Sequence, residues 1–427
     1  MSINIDKQLL ANALGPKLPY FTDKGFYSSA TYPNAYFYNG KTYIVYQAGE
    51  TQDPMITSYN HATKEWATPV KVGTNTLTAD SHGSPSIVID NSGYIHVFWG
   101  SHSGTGLANH SRSTNVEDIS LWTIKAEMPP GNSATYPQVL KNSSNGYLYY
   151  FYRDTVGATQ TTIDYVSSSD SGETWGSENT IVDFGDTFAQ YFSVNFETGS
   201  TNKIHVVWNI LDYNDSSKRK SVYYAYLNLT NSTMYTVSGS SLGASVGLTE
   251  TGSCLVWTSG PNEVTSPIVH TYDGVQYVIY GDLNSNYWKS SVWTGSTPWK
   301  TANIFTGSTW DYERPDFVIT GSGCLDAFVP VRHIDTTVPL RNSFNLMRVN
   351  STNSGSTWNL KEIIFESPDE FYVSYPQVPV NCTGSLNIVF PAEFLIYQYF
   401  GVEQYTVSYK MYAHGTNGFV YRAYSQP

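Results

Sequence analysis

The sequence predicts an all-β fold, a seven-bladed β-propeller of four-stranded antiparallel blades, and three observations carry that reading. The first is an internal repeat: seven times a turn leads into an alternating run of aromatic or β-branched residues, the period-2 signature of a strand. The second is an X-Pro pair just upstream of six of these runs, placed where proline begins a strand without forfeiting a ladder donor. The third is composition. Aromatic residues make up 15% of the 427, with 35 Tyr and 11 Trp, while charged residues are only 14%, and Gly, Ser, Thr and Asn separate short apolar runs. A chain of this length ordinarily suggests two or three domains, but the repeat accounts for residues 1–427 as one.

The copies, in order, are NGKTYIVYQ from Asn39, SGYIHVFWG from Ser92, NGYLYYFYR from Asn145, NKIHVVWN from Asn202, DGVQYVIYG from Asp273, SGCLDAFVP from Ser322 and TGSLNIVFP from Thr383. The preceding pairs are Tyr32-Pro33, Ser84-Pro85, Tyr136-Pro137, Ser266-Pro267, Arg314-Pro315 and Tyr375-Pro376. A third strand, a turn and an aromatic follow each copy, at Trp66, Trp122, Trp175, Tyr235, Trp299, Trp358 and Phe419. Steps of 56, 53, 60, 64, 59 and 61 residues between them leave room for four short strands, with the tryptophans near the outer ones. The expected blades are 29–75, 80–128, 133–183, 188–240, 262–304, 312–364 and 372–427. How the residues before the first blade help to close the ring is not encoded locally.

The turn of the third unit, Ser168-Ser-Asp170-Ser-Gly172-Glu-Thr174-Trp175, matches the Asp-box S-x-D-x-G-x-T-W of sialidase-like propellers. A degenerate copy with Asn353 in place of Asp runs from Ser351 to Trp358 in the sixth unit. Asp can satisfy turn amides, Gly takes the tight backbone position and Trp packs between blades, so the motif reads as structural.

A formal charge of -12 and the lack of any basic stripe exclude a nucleic-acid partner, since nothing would displace counterions from a phosphate backbone. Positive charge for an anionic substrate must therefore be local. Cys254, Cys324 and Cys382 are too few and too far apart for a disulfide framework. The first twenty residues hold no long apolar core and no small-residue cleavage pattern, so neither a signal peptide nor a membrane span is expected. Asn-x-Ser/Thr sites arise by chance in so Asn-, Ser- and Thr-rich a chain and leave the compartment open.

Loops entering the innermost strands, and those leaving the second strands, gather at the mouth of a propeller's funnel. Two neighbouring units break their bland pattern there. His82 and Tyr136 stand at the entry of two inner strands, and His102 and Arg153 just past the second strands of the same blades. These types suit β-elimination at a uronic acid: Arg neutralises the carboxylate and so acidifies the C5 hydrogen, a neutral His or a tyrosinate removes it, and a Tyr hydroxyl protonates the departing oxygen. His96 and His205, alone within strands, read as packed residues.

The pair DSHGSPSIVIDNSGYIHVFWGSH and TYPQVLKNSSNGYLYYFYRD resembles the core of the propeller-type ulvan lyases among the BNR-repeat polysaccharide lyases. In those families two His about twenty residues apart precede a Tyr and then an Arg; here the separations are 20 and 17. The resemblance, which covers residues 78–176, implies His82 as base or base partner, Tyr136 as acid, Arg153 as carboxylate neutraliser and His102 as second histidine. It implies an anionic polysaccharide as partner, with work outside the cell or on a particle surface. No cofactor is required for the chemistry; the resemblance implies a structural zinc in some members, for which His270, His333 and Cys324, with Cys254 and Cys382, are the residues here, or else a calcium. No C-x-x-C or H-x-x-x-H spacing supports zinc. The repeat alignment places Tyr32, Tyr191, Arg314, Arg332 and Tyr375 at funnel-facing, sugar-contacting positions, and a monomer is expected.

Two rival classes remain. A sialidase-like hydrolase needs an arginine triad and an opening Arg motif; Arg153, Arg314 and Arg332 or Arg341 could supply a triad, but the first blade holds no Arg. A non-catalytic lectin-like propeller would need only aromatic platforms around the rim.

Overall fold

The computed structural model describes residues 25–419 apart from 27–29, 49–50, 78–79, 126–127, 129–133, 157–159, 186–187, 213–214, 261–262, 297, 308–313, 335–341, 366–370, 374, 383–387, 398–403 and 416–417. All seven repeat copies become second strands: Lys41–Ala48, Ile95–Trp99, Leu148–Thr155, Lys203–Asp212, Val275–Asp282, Cys324–Ile334 and Ile388–Tyr397. Each pairs antiparallel with the strand before it and the strand after it, as the Ser86–Ile89, Ile95–Trp99, Asn109–Ser113 and Trp122–Ile124 sheet shows. The fold is an all-β propeller with four-stranded antiparallel blades. Apolar side chains from both faces of neighbouring sheets fill the space between them; Val97, Phe98, Tyr150 and Val166 belong to one such layer.

The expectation of seven separate blades needs correction, because the described strands make six sheets. The third and fourth units share one ten-stranded sheet. The outer strand Asn179–Val182 covers only Ile163–Tyr165 of its neighbour, Thr161–Ser168. Thr161 is thus left with an open edge, which Phe188 of the next unit occupies in parallel register.

The two Ser-to-Trp turns behave alike. Ser168 Oγ and Asp170 Oδ1 accept the amides of Gly172 and Thr174 at 2.8 and 2.9 Å, and Ser351 Oγ and Asn353 Oδ1 do the same for Gly355 and Thr357 at 2.9 Å each. Asn replaces Asp by reversing one bond: Asn353 Nδ2 donates to the Thr357 hydroxyl at 2.8 Å, where Asp170 Oδ2 accepts the Thr174 hydroxyl. Trp175 packs edge-on against Phe98 of the preceding sheet, and Trp358 donates to Ser290 Oγ of its own preceding sheet at 3.1 Å.

The axis of the ring is not empty. Tyr32 bridges in parallel to Gln138 of the third unit, the Ile87 amide of the second donates to Pro33 O at 2.9 Å, and the Asn34 amide donates to Gln377 Oε1 of the last at 2.8 Å. Residues 30–34 therefore cross the funnel and tie the first unit to the second, third and last. Below this crossing, at the far ends of the inner strands, lies a cavity of about 730 Å³ lined by Lys141, Phe196, His270, Tyr272 and Ile319 among others. No helix among the described residues is long and apolar enough to cross a membrane.

Candidate active site

His82 sits in a single 3-10 turn, Ser81–Gly83, that Asp80 organises: the carboxylate Oδ1 accepts the His82 amide at 2.9 Å and meets its Nδ1 at 2.5 Å. The other oxygen, Oδ2, meets His102 Nδ1 at 2.9 Å. The two imidazoles stack with centroids 3.6 Å apart and planes 16° from parallel. Burial opposes ionisation of Asp80, but these hydrogen bonds outweigh it and hold the carboxyl down at about 2. Burial, the neighbouring His102 and the Arg153 charge together push His82 below the usual histidine value, against the pull of Asp80.

Tyr136 completes the wall, its ring centroid 5.3 Å from that of His82. It occupies the left-handed region at φ 60°, although it precedes proline, at a register shift between Thr135 and Gln138. Such a conformation costs on the order of 1–3 kcal/mol and persists only where the surroundings enforce it. Gln138 is that enforcement: its amide group donates to Ala30 O and Phe192 O at 3.1 and 2.6 Å and accepts the Val194 amide at 3.1 Å. Tyr375, in the same Tyr-Pro-Gln context, repeats the conformation at φ 51°. Arg153, across the strand pair from Thr135, lays its guanidinium 4.7 Å from the Tyr136 ring centre. It is 5% exposed, and its Nε has no hydrogen-bond partner among the described residues.

The structure thus brings His82, His102, Tyr136 and Arg153 together and adds Tyr191, 5.4 Å from Tyr136. Tyr191 is buried, which pushes its hydroxyl far above the ordinary tyrosine value, with Tyr375 among the charges it feels. Tyr32 and Arg314 form their own stack on the crossing segment, at 5.1 Å. Arg332 is half-buried on Cys324–Ile334, its amide donating to Gly307 O. Sequence reasoning missed Asp80, which reads as a turn cap beside His82, and Arg219, whose guanidinium lies 5.3 Å from the Tyr191 ring. The only local signal for Arg219 is the run Lys218-Arg219-Lys220.

Among the described residues the metal-donor group that contains histidine is Asp80 with His82 and His102, not the expected His270 and cysteine set. His270 is engaged by Asn195 Nδ2 at 2.7 Å and lies 3.5 Å from Asp316, and no group of metal donors includes it, Cys254, Cys324 or Cys382; the His333 side chain lies outside the described residues. An oxygen-only group does exist: Asp154, Asp164 and Glu178 place one oxygen each within 4.8 Å of the others, a donor set suited to a hard cation such as calcium. Burial pushes the Asp164 carboxyl up to about 7 there. His96 and His205 are packed as expected, His96 against His110 Nε2 at 2.9 Å and His205 against the Tyr224 hydroxyl.

Four-stranded sheets around a funnel, with Ser-to-Trp turns on their outer edges, define a β-propeller of the repeat type. The chain belongs to the BNR repeat-containing family, whose model matches residues 41–267, more than half of it. It is 35% identical over 183 residues to an ulvan lyase of Nonlabens ulvanivorans, 37% of this chain and 38% of that one. A second ulvan lyase, from Alteromonas sp. (strain LOR), is 30% identical over 275 residues, 54% and 56% of the two chains. The chain thus spans between about two fifths and somewhat over half of these curated relatives' length. Among solved structures, a polysaccharide lyase described as an ulvan lyase bound to -[GlcA(1-4)Rha3S]- superposes with a TM-score of 0.78 at 21% identity, covering 95% of this chain and 97% of that one. A lectin from Burkholderia pseudomallei does so at 0.56 and 12%, covering 93% and 97%. At these identities the likeness is one of fold.

Proposed function

We propose that the chain is a polysaccharide lyase that cleaves a uronate-containing, ulvan-like polysaccharide by β-elimination, leaving an unsaturated uronate at the new non-reducing end. The observation that carries this reading is the convergence of the Asp80-held histidine pair, Tyr136 and a buried guanidinium with an unsatisfied Nε at one wall of the funnel. Arg153 pairs with the uronate carboxylate and stabilises the enolate-like charge as it grows. His82, neutral at its unshared nitrogen, takes the C5 proton; the freed pair forms the C4–C5 double bond, the C4–O bond breaks, and the Tyr136 hydroxyl protonates the departing oxygen. His102 holds its ring against His82 and faces the same acid group. Tyr32, Tyr191, Arg314, Arg332 and Tyr375 are assigned to sugar contacts, and Arg219 joins them through its stack on Tyr191.

The lyase acts as a monomer outside the cell or on a particle surface, where an anionic polymer is met, and its chemistry uses no cofactor. Incubation with ulvan and a panel of other uronate polysaccharides should produce new ultraviolet absorbance from the conjugated product. Reducing ends without that absorbance mean hydrolysis, and binding without cleavage means a lectin; either result overturns the reading.

A further inference from the structure

We propose that Asp80 is the positioning residue of this site: its single carboxylate clamps both imidazoles through Nδ1, so that His82 and His102 work as one unit with both Nε2 atoms left for substrate. The catalytic half of this inference rests on the lyase reading; the geometric half does not.

A capping role alone does not explain Asp80. An Asp two residues ahead of His82 accounts for one oxygen on the His82 amide, the ordinary Asx turn. It does not account for the second oxygen, which reaches His102 Nδ1 from 22 residues away in sequence, nor for the parallel stacking of the rings. Asp80 is itself fixed. Its carbonyl accepts Gln47 Nε2 at 3.1 Å and the Gly83 amide at 3.2 Å, and Gln47 also accepts the Ser84 hydroxyl at 2.8 Å. The carboxylate can only accept, so each Nδ1 must carry a hydrogen, and the neutral form of each ring has its lone pair on Nε2. Neither Nε2 has a hydrogen-bond partner among the described residues. Two imidazolium rings at 3.6 Å would repel, with Arg153 adding to that repulsion on His82, while Asp80 supplies one negative charge. The pair therefore keeps at least one neutral ring at working pH, which is what proton removal from a uronate demands.

The ¹⁵N shifts of the histidine side chains in the wild-type protein near neutral pH test the geometry directly. Hydrogen on Nδ1 in both His82 and His102 is expected; Nε2–H in either neutral ring overturns the clamp. The Asp80→Asn variant tests the consequence. Asn offers one acceptor oxygen and no charge, so it can orient only one ring. Its kcat on the polymer that the wild type cleaves should fall by about 100-fold or more, with KM changed far less, on the scale of losing the carboxylate that orients a catalytic histidine. The acid limb should move to lower pH, because Asp80 raises the His82 value and its loss lets that value drop. Asp80→Glu should recover part of the rate. A folded Asp80→Asn protein with wild-type kcat and pH profile overturns the inference. If the wild type cleaves no uronate polymer, the lyase reading falls by itself and the ¹⁵N measurement still decides the role of Asp80.

Discussion

Replacing Arg153 with Ala should lower kcat by about 10² to 10³ while KM changes much less, because the guanidinium gains most as carboxylate charge grows toward the transition state. Tyr136→Phe should abolish turnover yet keep the ring under that guanidinium, which circular dichroism on the purified variant will check. The pH profile follows from His82. Its value lies below that of a free histidine, so the base stays neutral to lower pH than an unperturbed one, and the acid limb of kcat/KM should fall below pH 6.5. A limb centred above 6.5 would remove His82 from the base role. The four principal residues were legible because period-2 counting locates inner-strand entries and second-strand ends, although Arg153, expected just past its second strand, lies inside Leu148–Thr155 and pairs with Thr135 and Ile163. Asp80 was not, since an acid beside a turn histidine looks the same whether it caps the turn or bridges to a residue 22 positions on.

At the scale of elements, the two Ser-to-Trp turns make a paired experiment. Gly172 has φ 76°, and a methyl group there would lie 2.6 Å from the buried His110 ring, whereas at Gly355, φ 74°, the nearest atom is a Val292 methyl at 3.2 Å. Both Ala variants bear the left-handed cost of roughly 1–2 kcal/mol, and Gly172→Ala adds a clash that a close-packed layer cannot relieve. Chemical denaturation should therefore show Gly172→Ala as the clearly less stable of the two. The repeat made every second strand legible, because a half-buried strand writes its alternation into the chain. What it could not disclose was the fusion of the third and fourth units. That depends on how far the outer strand Asn179–Val182 extends along Thr161–Ser168, and strand ends carry the weakest local signal.

Across the whole molecule, Gln377 and Gln138 hold the crossing segment from opposite sides: Gln377 accepts the Asn34 amide and donates to Thr31 O at 3.0 Å and to the Asn34 side chain, while Gln138 donates to Ala30 O. Gln377→Ala takes the acceptor from the buried Asn34 amide, a loss of roughly 1–3 kcal/mol, and thermal unfolding should begin distinctly earlier than in the wild type. No local pattern announces this closure, since its partners are separated by 343 residues. That separation also has a consequence in time. At a ribosomal pace of about 5–20 residues per second, Asn34 waits tens of seconds for Gln377 to be made. During that interval the histidines, Tyr136 and Arg153 already exist, but the crossing segment can be held only by the second and third units, so the newborn chain gains its last tie across the funnel only when the final repeat arrives.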